Sequence, residues 1–332
     1  MLSFRGFILW MKNLESIIRL HMDPGYSVLR PHSGMTRINM NTWEKTKKSL
    51  FIIPPYLFGV FFIVLPLLII FKISFSSTSD SLSLPYNSTF SFDSNYLFTI
   101  KIYFKHYVDL ITNDFYLYLI LSSFKIAILS TFFAFILGYL IALGISTISQ
   151  KYRLLMLILV MLPFFTSFLM RVYAWITMLS TYGIINNCLL YFGLIQQPLK
   201  LLDSTFAVCI GTVYCYLPFM ILPIYISLEN IDSSFLEAAE DLGAKPLQSF
   251  YRIILPLSAN GILGGCALVF IPVIGEFVIP ELLGGSKTVT LGRAIFWEFV
   301  TNYNWPRTCA MAMLTIIILV LPIIILQREK NA

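Results

Sequence analysis

Six long apolar runs, each about as long as a lipid bilayer is thick, constrain this chain more than any other feature. They are Phe51 to Phe71, Tyr116 to Ile145, Leu154 to Leu179, Thr205 to Ile226, Leu257 to Ile279 and Thr308 to Leu326. A helix needs about 20 mostly apolar residues to cross a hydrocarbon core of about 30 Å. Backbone amides and carbonyls must pair internally in lipid, so runs of this length dictate helices. Composition enters as a check: 58% of the 332 residues are hydrophobic and 12% are charged, against about 45–50% apolar and about 25% charged in average soluble proteins. With a mean hydropathy of +0.80, the chain carries more apolar surface than one core of this length can hide. The expectation is an all-α integral membrane protein with six transmembrane helices.

Charge placement sets the expected orientation. Eight basic residues, Arg5, Lys12, Arg19, Arg30, Arg37, Lys45, Lys47 and Lys48, precede the first run, and Lys72 alone follows it within twenty residues. Positive charge stays on the cytoplasmic side, which puts the N-terminus inside, and six crossings return the C-terminus there. Lys151, Arg153, Arg328 and Lys330 fall on the inner side in the same scheme. The net charge of +6 is thus a topology signal, and no nucleic-acid partner is expected. The chain divides into a cytoplasmic extension over 1–50, a six-span domain over 51–326 with a loop over 228–256, and a cytoplasmic tail over 327–332. Within the extension, residues 1–34 read either as an overlong start, with Met35 or Met40 as the true one, or as a surface-lying helix.

Several chemistries lack their residues. No Gly-x-x-x-x-Gly-Lys-Ser/Thr phosphate loop occurs; Gly284-Gly285-Ser286-Lys287-Thr288 lacks the Gly before Lys. If ATP drives this protein, another chain binds it. The five Cys (188, 209, 215, 266 and 309) and three His (21, 32 and 106) have no metal-ligand spacing. No nucleophile–base grouping suggests an enzyme. No cofactor is expected in the chain.

The segment between the fourth and fifth runs departs from the charge pattern. It holds Glu229, Asp232, Glu237, Glu240 and Asp241 against Lys245 and Arg252. Ser234 with Glu237 fits a capping box, Gly243 suits a left-handed helix end, and Ala238 with Ala239 offers a small-residue face for close packing. Pro246 can open a second short helix to Ile254, with Pro256 ending it. Read physically, this is either a polar connector or a docking element.

Glu237-Ala238-Ala239, three residues, Gly243, nine residues, then Ile253-x-Leu255-Pro256 resembles the EAA loop of the membrane subunits of binding-protein-dependent ABC importers. Further stretches, Thr166 to Trp175, Tyr182 to Asn187, Leu217 to Tyr225 and Gly275 to Gly285, are similar to the polyamine, putrescine-type branch of that family. The resemblance spans about 45–327. It implies a type I ABC importer permease architecture, in which a cytoplasmic coupling helix docks on an ATPase subunit. Glu237, Ala238, Ala239, Gly243, Ile253, Leu255 and Pro256 would be its coupling residues. Implied partners are a second similar permease subunit, two copies of an ATP-binding subunit that hold ATP and Mg, a periplasmic polyamine-binding protein, and the lipid of a bacterial inner membrane.

Ionisable groups inside a membrane are costly and often functional, and the spans hold few: Lys125, Arg171 and Glu276. Glu276 is the candidate for attracting an organic dication, with Phe277, Tyr173, Trp175, Tyr214 and Tyr216 as aromatic partners worth about 0.5–2 kcal/mol each in cation–π contact. A salt bridge between Arg171 and Glu276 is the competing expectation. The aromatics read equally as interface anchors. Glu281 is expected in an outer loop, facing a binding protein. Pro163, Pro218, Pro223 and Pro272 are expected to interrupt four helical hydrogen-bond ladders, freeing carbonyls and letting the spans bend, and Gly261 with Gly265 to serve helix packing. Two other functions stay open: the same importer class with a different small solute, and a self-contained channel or proton-coupled carrier, for which only Glu276 could act as a relay.

Overall fold

A computed structural model describes residues 53–79, 85–87, 90–92, 98–100, 102–286 and 288–331. The expected extension over 1–50, Phe51, Lys287 and Ala332 lie outside these residues. Contacts divide the chain into two units, Met1–Val64 and Leu65–Ala332. In the first, residues 53–64 are helical and close in a π turn, Val60–Val64.

The second unit comprises α1 (Leu65–Ser74), a short antiparallel hairpin of β1 (Phe90–Phe92) and β2 (Phe98–Ile100), then α2 (Lys105–Thr112), α3 (Asp114–Thr147) and α4 (Gln150–Met161). After a 3₁₀ turn, Leu162–Phe165, follow α5 (Phe168–Leu179), α6 (Ile184–Tyr191), α7 (Thr205–Glu229) and α8 (Ser234–Asp241). The chain continues through α9 (Pro246–Leu257), α10 (Ala259–Ile274), α11 (Val278–Leu283), α12 (Leu291–Val300) and α13 (Trp305–Asn331). The hairpin pairs Phe90 with Ile100; it is the departure from an all-helical chain that the sequence reading did not anticipate.

Helices occupy all six apolar runs. Among the described residues four are long and apolar enough to cross a membrane, five when α9 and α10, bent by 63°, count as one span. The described apolar part of α13, Trp305–Val320, is shorter. The third run is not one helix. Pro163 sits in the 3₁₀ turn, and the candidate span begins at Phe168 and runs on to Tyr191. A proline lacks the amide that would continue the ladder and crowds the carbonyl one turn back.

Packing decides where proline breaks a helix. Pro218 and Pro223 lie inside α7, and Pro272 inside α10, and both helices run through them. Helix α7 is held on both sides, by α3 and by α10, and Met220, Ile221 and Ile224 at its centre are fully buried. In α9 the chain widens into a π turn, Phe250–Ile254, whose last amide bond runs from Leu255 to the Phe250 carbonyl just before Pro256. The wider turn relieves the clash Pro256 would cause. Helix α9 therefore passes Pro256 and bends only at Ser258, correcting the expected end at Pro256.

The α7–α10 contact has a specific cause. A Cβ on Gly261 would stand 2.5 Å from Ser227 Cβ and 2.6 Å from the Pro223 carbonyl oxygen, and one on Gly265 would stand 2.8 Å from Met220 Sδ. Small residues one turn apart thus let the two backbones approach, and dispersion between them holds the pair where lipid supplies no hydrophobic driving force. Outward-facing Phe132, Leu140, Leu154, Leu155 and Leu263 remain exposed.

Candidate functional site

Helix α8 is two turns long and stands between the ends of α7 and α9. It starts at Ser234, whose amide donates to Asp232 Oδ1 at 3.0 Å. The expected capping box is absent: Ser234 is the first helical residue, and the residue before it, Ser233, makes no side-chain cap. The Ser234 amide holds the exposed Asp232 carboxyl below the usual carboxylate range. At the other end Gly243 has φ +78°, its amide donates to the Glu240 carbonyl at 2.8 Å, and the Ala244 amide reaches the Ala239 carbonyl at 2.9 Å. This is the paired closure that a left-handed glycine permits.

The two alanines separate. Ala239 is buried, whereas Ala238 faces outward with Glu237, Glu240, Asp241 and Gly243. Leu242 is 88% exposed, and Phe235, Leu247 and Tyr251 are also exposed nearby. The result is an acidic helix edged by uncovered apolar side chains. Ile253 and Leu255 are half-buried, Leu255 packs on the main core, and Pro256 is exposed.

The second candidate cluster lies at the turn joining α10 to α11. Glu276 caps α11: its Oε1 accepts from the Val278 amide at 2.9 Å and the Ile279 amide at 3.5 Å. Tyr216 in α7 donates to its Oε2 at 2.6 Å. All three donors are neutral. The carboxyl group is oriented with no ion-pair partner among the described residues, and its oxygens keep capacity to accept further donors. Arg171 is buried in α5 between the Phe164 and Phe168 rings, each 5.6 Å from its guanidinium carbon, and its Nη1 reaches the Cys215 carbonyl at 3.4 Å. No Arg171–Glu276 ion pair occurs among the described residues, which corrects that expectation.

The aromatic set divides as helical geometry requires. Tyr214 and Tyr216 are two residues apart and point to different sides of α7. Tyr216 lies against Glu276 and Phe219, while Tyr214 meets Trp175 edge-to-face at 5.7 Å. Tyr173 is exposed, Phe277 stacks on Phe296 at 4.7 Å, and Lys125 is exposed on α3. From Tyr216, residues Phe219, Pro223, Ser227 and Asn230 follow at helical spacing on one face of α7. The last four line a groove of about 680 Å³ that also meets Asp232, Phe235 and Asn260.

Sequence reasoning missed the supports of Glu276. A Cβ on Gly292 in α12 would lie 2.5 Å from the Gly275 carbonyl oxygen and 2.6 Å from that of Glu276. The neighbouring Leu291 amide donates to the buried Ser123 hydroxyl of α3 at 2.7 Å, and Thr290 caps α12. Thr290 before an apolar helical stretch was a legible cap signal; the other two contacts join distant residues. Glu281 is a further correction. It lies in α11 and pairs with Arg293, which also donates to the Gly285 carbonyl and faces the Trp297 ring.

The family model for the binding-protein-dependent transport system inner membrane component matches residues 134–328. The chain is 37% identical over 272 residues to the spermidine/putrescine transport system permease protein PotB of Haemophilus influenzae, covering 82% of this chain and 90% of that protein. It is 38% identical over 216 residues to the PotB protein of Escherichia coli strain K12, covering 65% of this chain and 78% of the relative. Among solved structures, a chain of a bacterial ABC transporter for import of the acidic polysaccharide alginate aligns with a TM-score of 0.64 at 19% identity, covering 88% of this chain and 98% of the other. The shared fold is that of a type I importer permease.

Proposed function

The chain belongs to the family of binding-protein-dependent transport system inner membrane components, and from that premise we propose that it is a permease subunit of an ATP-driven polyamine importer, with spermidine or putrescine as substrate. As a member of that family it is a multi-pass membrane protein and a transport component, not an enzyme. The observation that carries the substrate class is sustained identity to a spermidine/putrescine permease over 90% of that protein's length.

In this reading the chain works with a second similar permease subunit, two copies of an ATP-binding subunit that hold ATP and Mg, and a periplasmic polyamine-binding protein. An alginate transporter of the same fold has been solved in complex with its periplasmic protein, which supports the arrangement. The location is a bacterial inner membrane, with both termini cytoplasmic. Residues 51–326 form the spanning domain and 1–50 and 327–332 its flanks.

Helix α8 is the coupling element. Glu237, Ala238 and Gly243 face outward where an ATPase cleft would receive them, Ala239 seats the helix, and Ile253, Leu255 and Pro256 connect it to α10. Leu242, with Phe235, Leu247 and Tyr251 exposed nearby, supports this role, because a group of uncovered apolar side chains marks an interaction surface. Closure of the ATPase pair moves α8, the path opens outward to accept substrate from the binding protein, and hydrolysis resets it inward.

Glu276, preset by Tyr216 and without an ion-pair partner among the described residues, attracts an ammonium group of the substrate. Tyr214, Trp175 and Tyr173 offer aromatic faces near the path, and Arg171, held away on the Cys215 carbonyl, leaves the carboxylate available. The α7 face from Tyr216 to Asn230, about 21 Å at 1.5 Å per residue, provides the route toward α8. Reconstitution with the ATPase and binding protein tests this reading. Uptake of labelled spermidine or putrescine should require ATP and be suppressed by the other polyamine but not by unrelated solutes; uptake by this chain alone would favour a self-contained carrier.

A further inference from the structure

Arg153, near the start of α4, joins three pieces of chain at the end of the bundle that carries α8. Its Nε donates to the Ile148 carbonyl at 2.9 Å and its Nη2 to the Ser146 carbonyl at 2.8 Å. Both carbonyls belong to the last turn and cap of α3, where four carbonyls lack partners within the helix. Its Nη1 lies 3.6 Å from Glu229 Oε1. Glu229 is the final residue of α7, five positions before α8 begins. The Tyr225 hydroxyl, one turn earlier on α7, faces the same Glu229 and Arg153.

The surroundings make this connection mechanical. A cleft of about 290 Å³ separates α8 from the end of α3, lined by Leu143, Arg153, Glu229, Ser233, Leu236 and Ile254. Leu236 and Ile254, which line that open space from the α8 and α9 side, carry no polar group to fix its width. The guanidinium is planar and holds its donors in a fixed fork, so its two hydrogen bonds to the α3 end aim the remaining nitrogen at the Glu229 carboxylate and set the α3 end relative to the α7 end. Arg153 and Glu229 are 27% and 42% exposed. A pair this accessible adds little to global stability, and its consequence is relative position.

We propose that Arg153 is a positioning residue, a strut that makes the root of α8 move together with the end of α3, so that displacement of α8 reaches the long core helix and is not lost in the loop. The proposal rests on the reading of α8 as the coupling helix, and it goes beyond that reading by naming the residue that carries the motion onward.

Two measurements on the full chain test it. In the complete importer in liposomes, the ratio of ATP hydrolysed to polyamine taken up should rise at least fivefold in Arg153→Ala and in Glu229→Gln, with the ATPase subunit still co-purifying. Arg153→Lys should fall between, because a compact ammonium cannot hold both α3 carbonyls and still face Glu229. Independently of transport, backbone amide exchange in 226–241 should accelerate at least tenfold in Arg153→Ala and less in Glu229→Gln. An unchanged ratio in assembled variants, or unchanged exchange in both, overturns the strut. If the wild-type complex fails to couple ATP to polyamine uptake, the functional reading fails instead, and amide exchange alone decides whether Arg153 fixes the root of α8.

Discussion

Tyr216 donates its hydroxyl proton to Glu276 at 2.6 Å across sixty residues of sequence. The bond ties α7, the most buried of the four long candidate spans, to the turn between α10 and α11, and it aims a carboxylate that Arg171 does not pair with. Any movement of α7 relative to α10 therefore changes the environment of the most distinctive acid in the spanning region.

The first prediction follows from that bond. Glu276→Gln keeps the shape and the amide contacts to α11 but removes the charge, so the apparent affinity for polyamine should weaken about tenfold or more, the size of a hydrogen bond to a charged group of about 1.5–3 kcal/mol. Tyr216→Phe should weaken it less. Substrate titration of uptake reads both, and normal affinity in Glu276→Gln removes this residue from the cation route.

Closure of α8 gives a second test. Gly243 has φ +78°, a conformation costing an L-residue about 1–2 kcal/mol, and Gly243→Pro also deletes the amide that bonds Glu240. The substitution should abolish co-purification of the ATPase subunit, while Gly243→Ala should reduce it. Glu237→Arg, which reverses an exposed charge without touching the helix closure, should lower ATP-dependent uptake with the chain still folded.

Two glycines one turn region apart should respond differently to the same methyl group. Gly261→Ala drives a Cβ to 2.6 Å from the backbone oxygen of Pro223 and should destabilise by about 1–3 kcal/mol, as overpacking does. Gly264→Ala meets only Pro223 Cβ, at 3.8 Å, and should be tolerated. Thermal unfolding in detergent distinguishes them; equal behaviour contradicts the close α7–α10 approach.

Helix α2 should carry a pH dependence. His106 is 6% exposed, and burial, followed by the nearby Arg307 charge, holds its pKa below 6.5. The folded state thus favours the neutral ring. Its contribution is present above 6.5 and is lost as pH falls through the lower folded value. Unfolding temperature should drop on acidification, and His106→Gln should flatten that drop.

Much of this protein was legible because period and length report the solvent. Among the described residues, five of the six apolar runs became helix without a break at proline, Gly243 closed α8 with the expected handedness, Gly261 and Gly265 packed helices, and Pro246 opened α9. Where the reading failed, a neighbouring residue or a packing partner outweighed the signal that was read. Ser234 and Glu237 have capping-box spacing, but Asp232 reached the amide first. Pro256 carries a helix-ending signal, yet a π turn before it absorbed the strain. Pro163 broke its run, whereas Pro218 and Pro223, gripped between α3 and α10, did not break theirs.

The sequence by itself determined that the chain is a bundle of apolar helices interrupted by one acidic helical loop, because hydropathy, glycine and proline act over a few residues and need no partner. Only the tertiary structure decided which side chain each charge meets. Glu276 found Tyr216 and the start of α11, Arg171 found a carbonyl, Glu281 found Arg293, and Arg153 spanned α3 and α7. Those choices depend on which helices adjoin and how closely their backbones approach, and residues far apart in the chain acquire that information only when the helices pack.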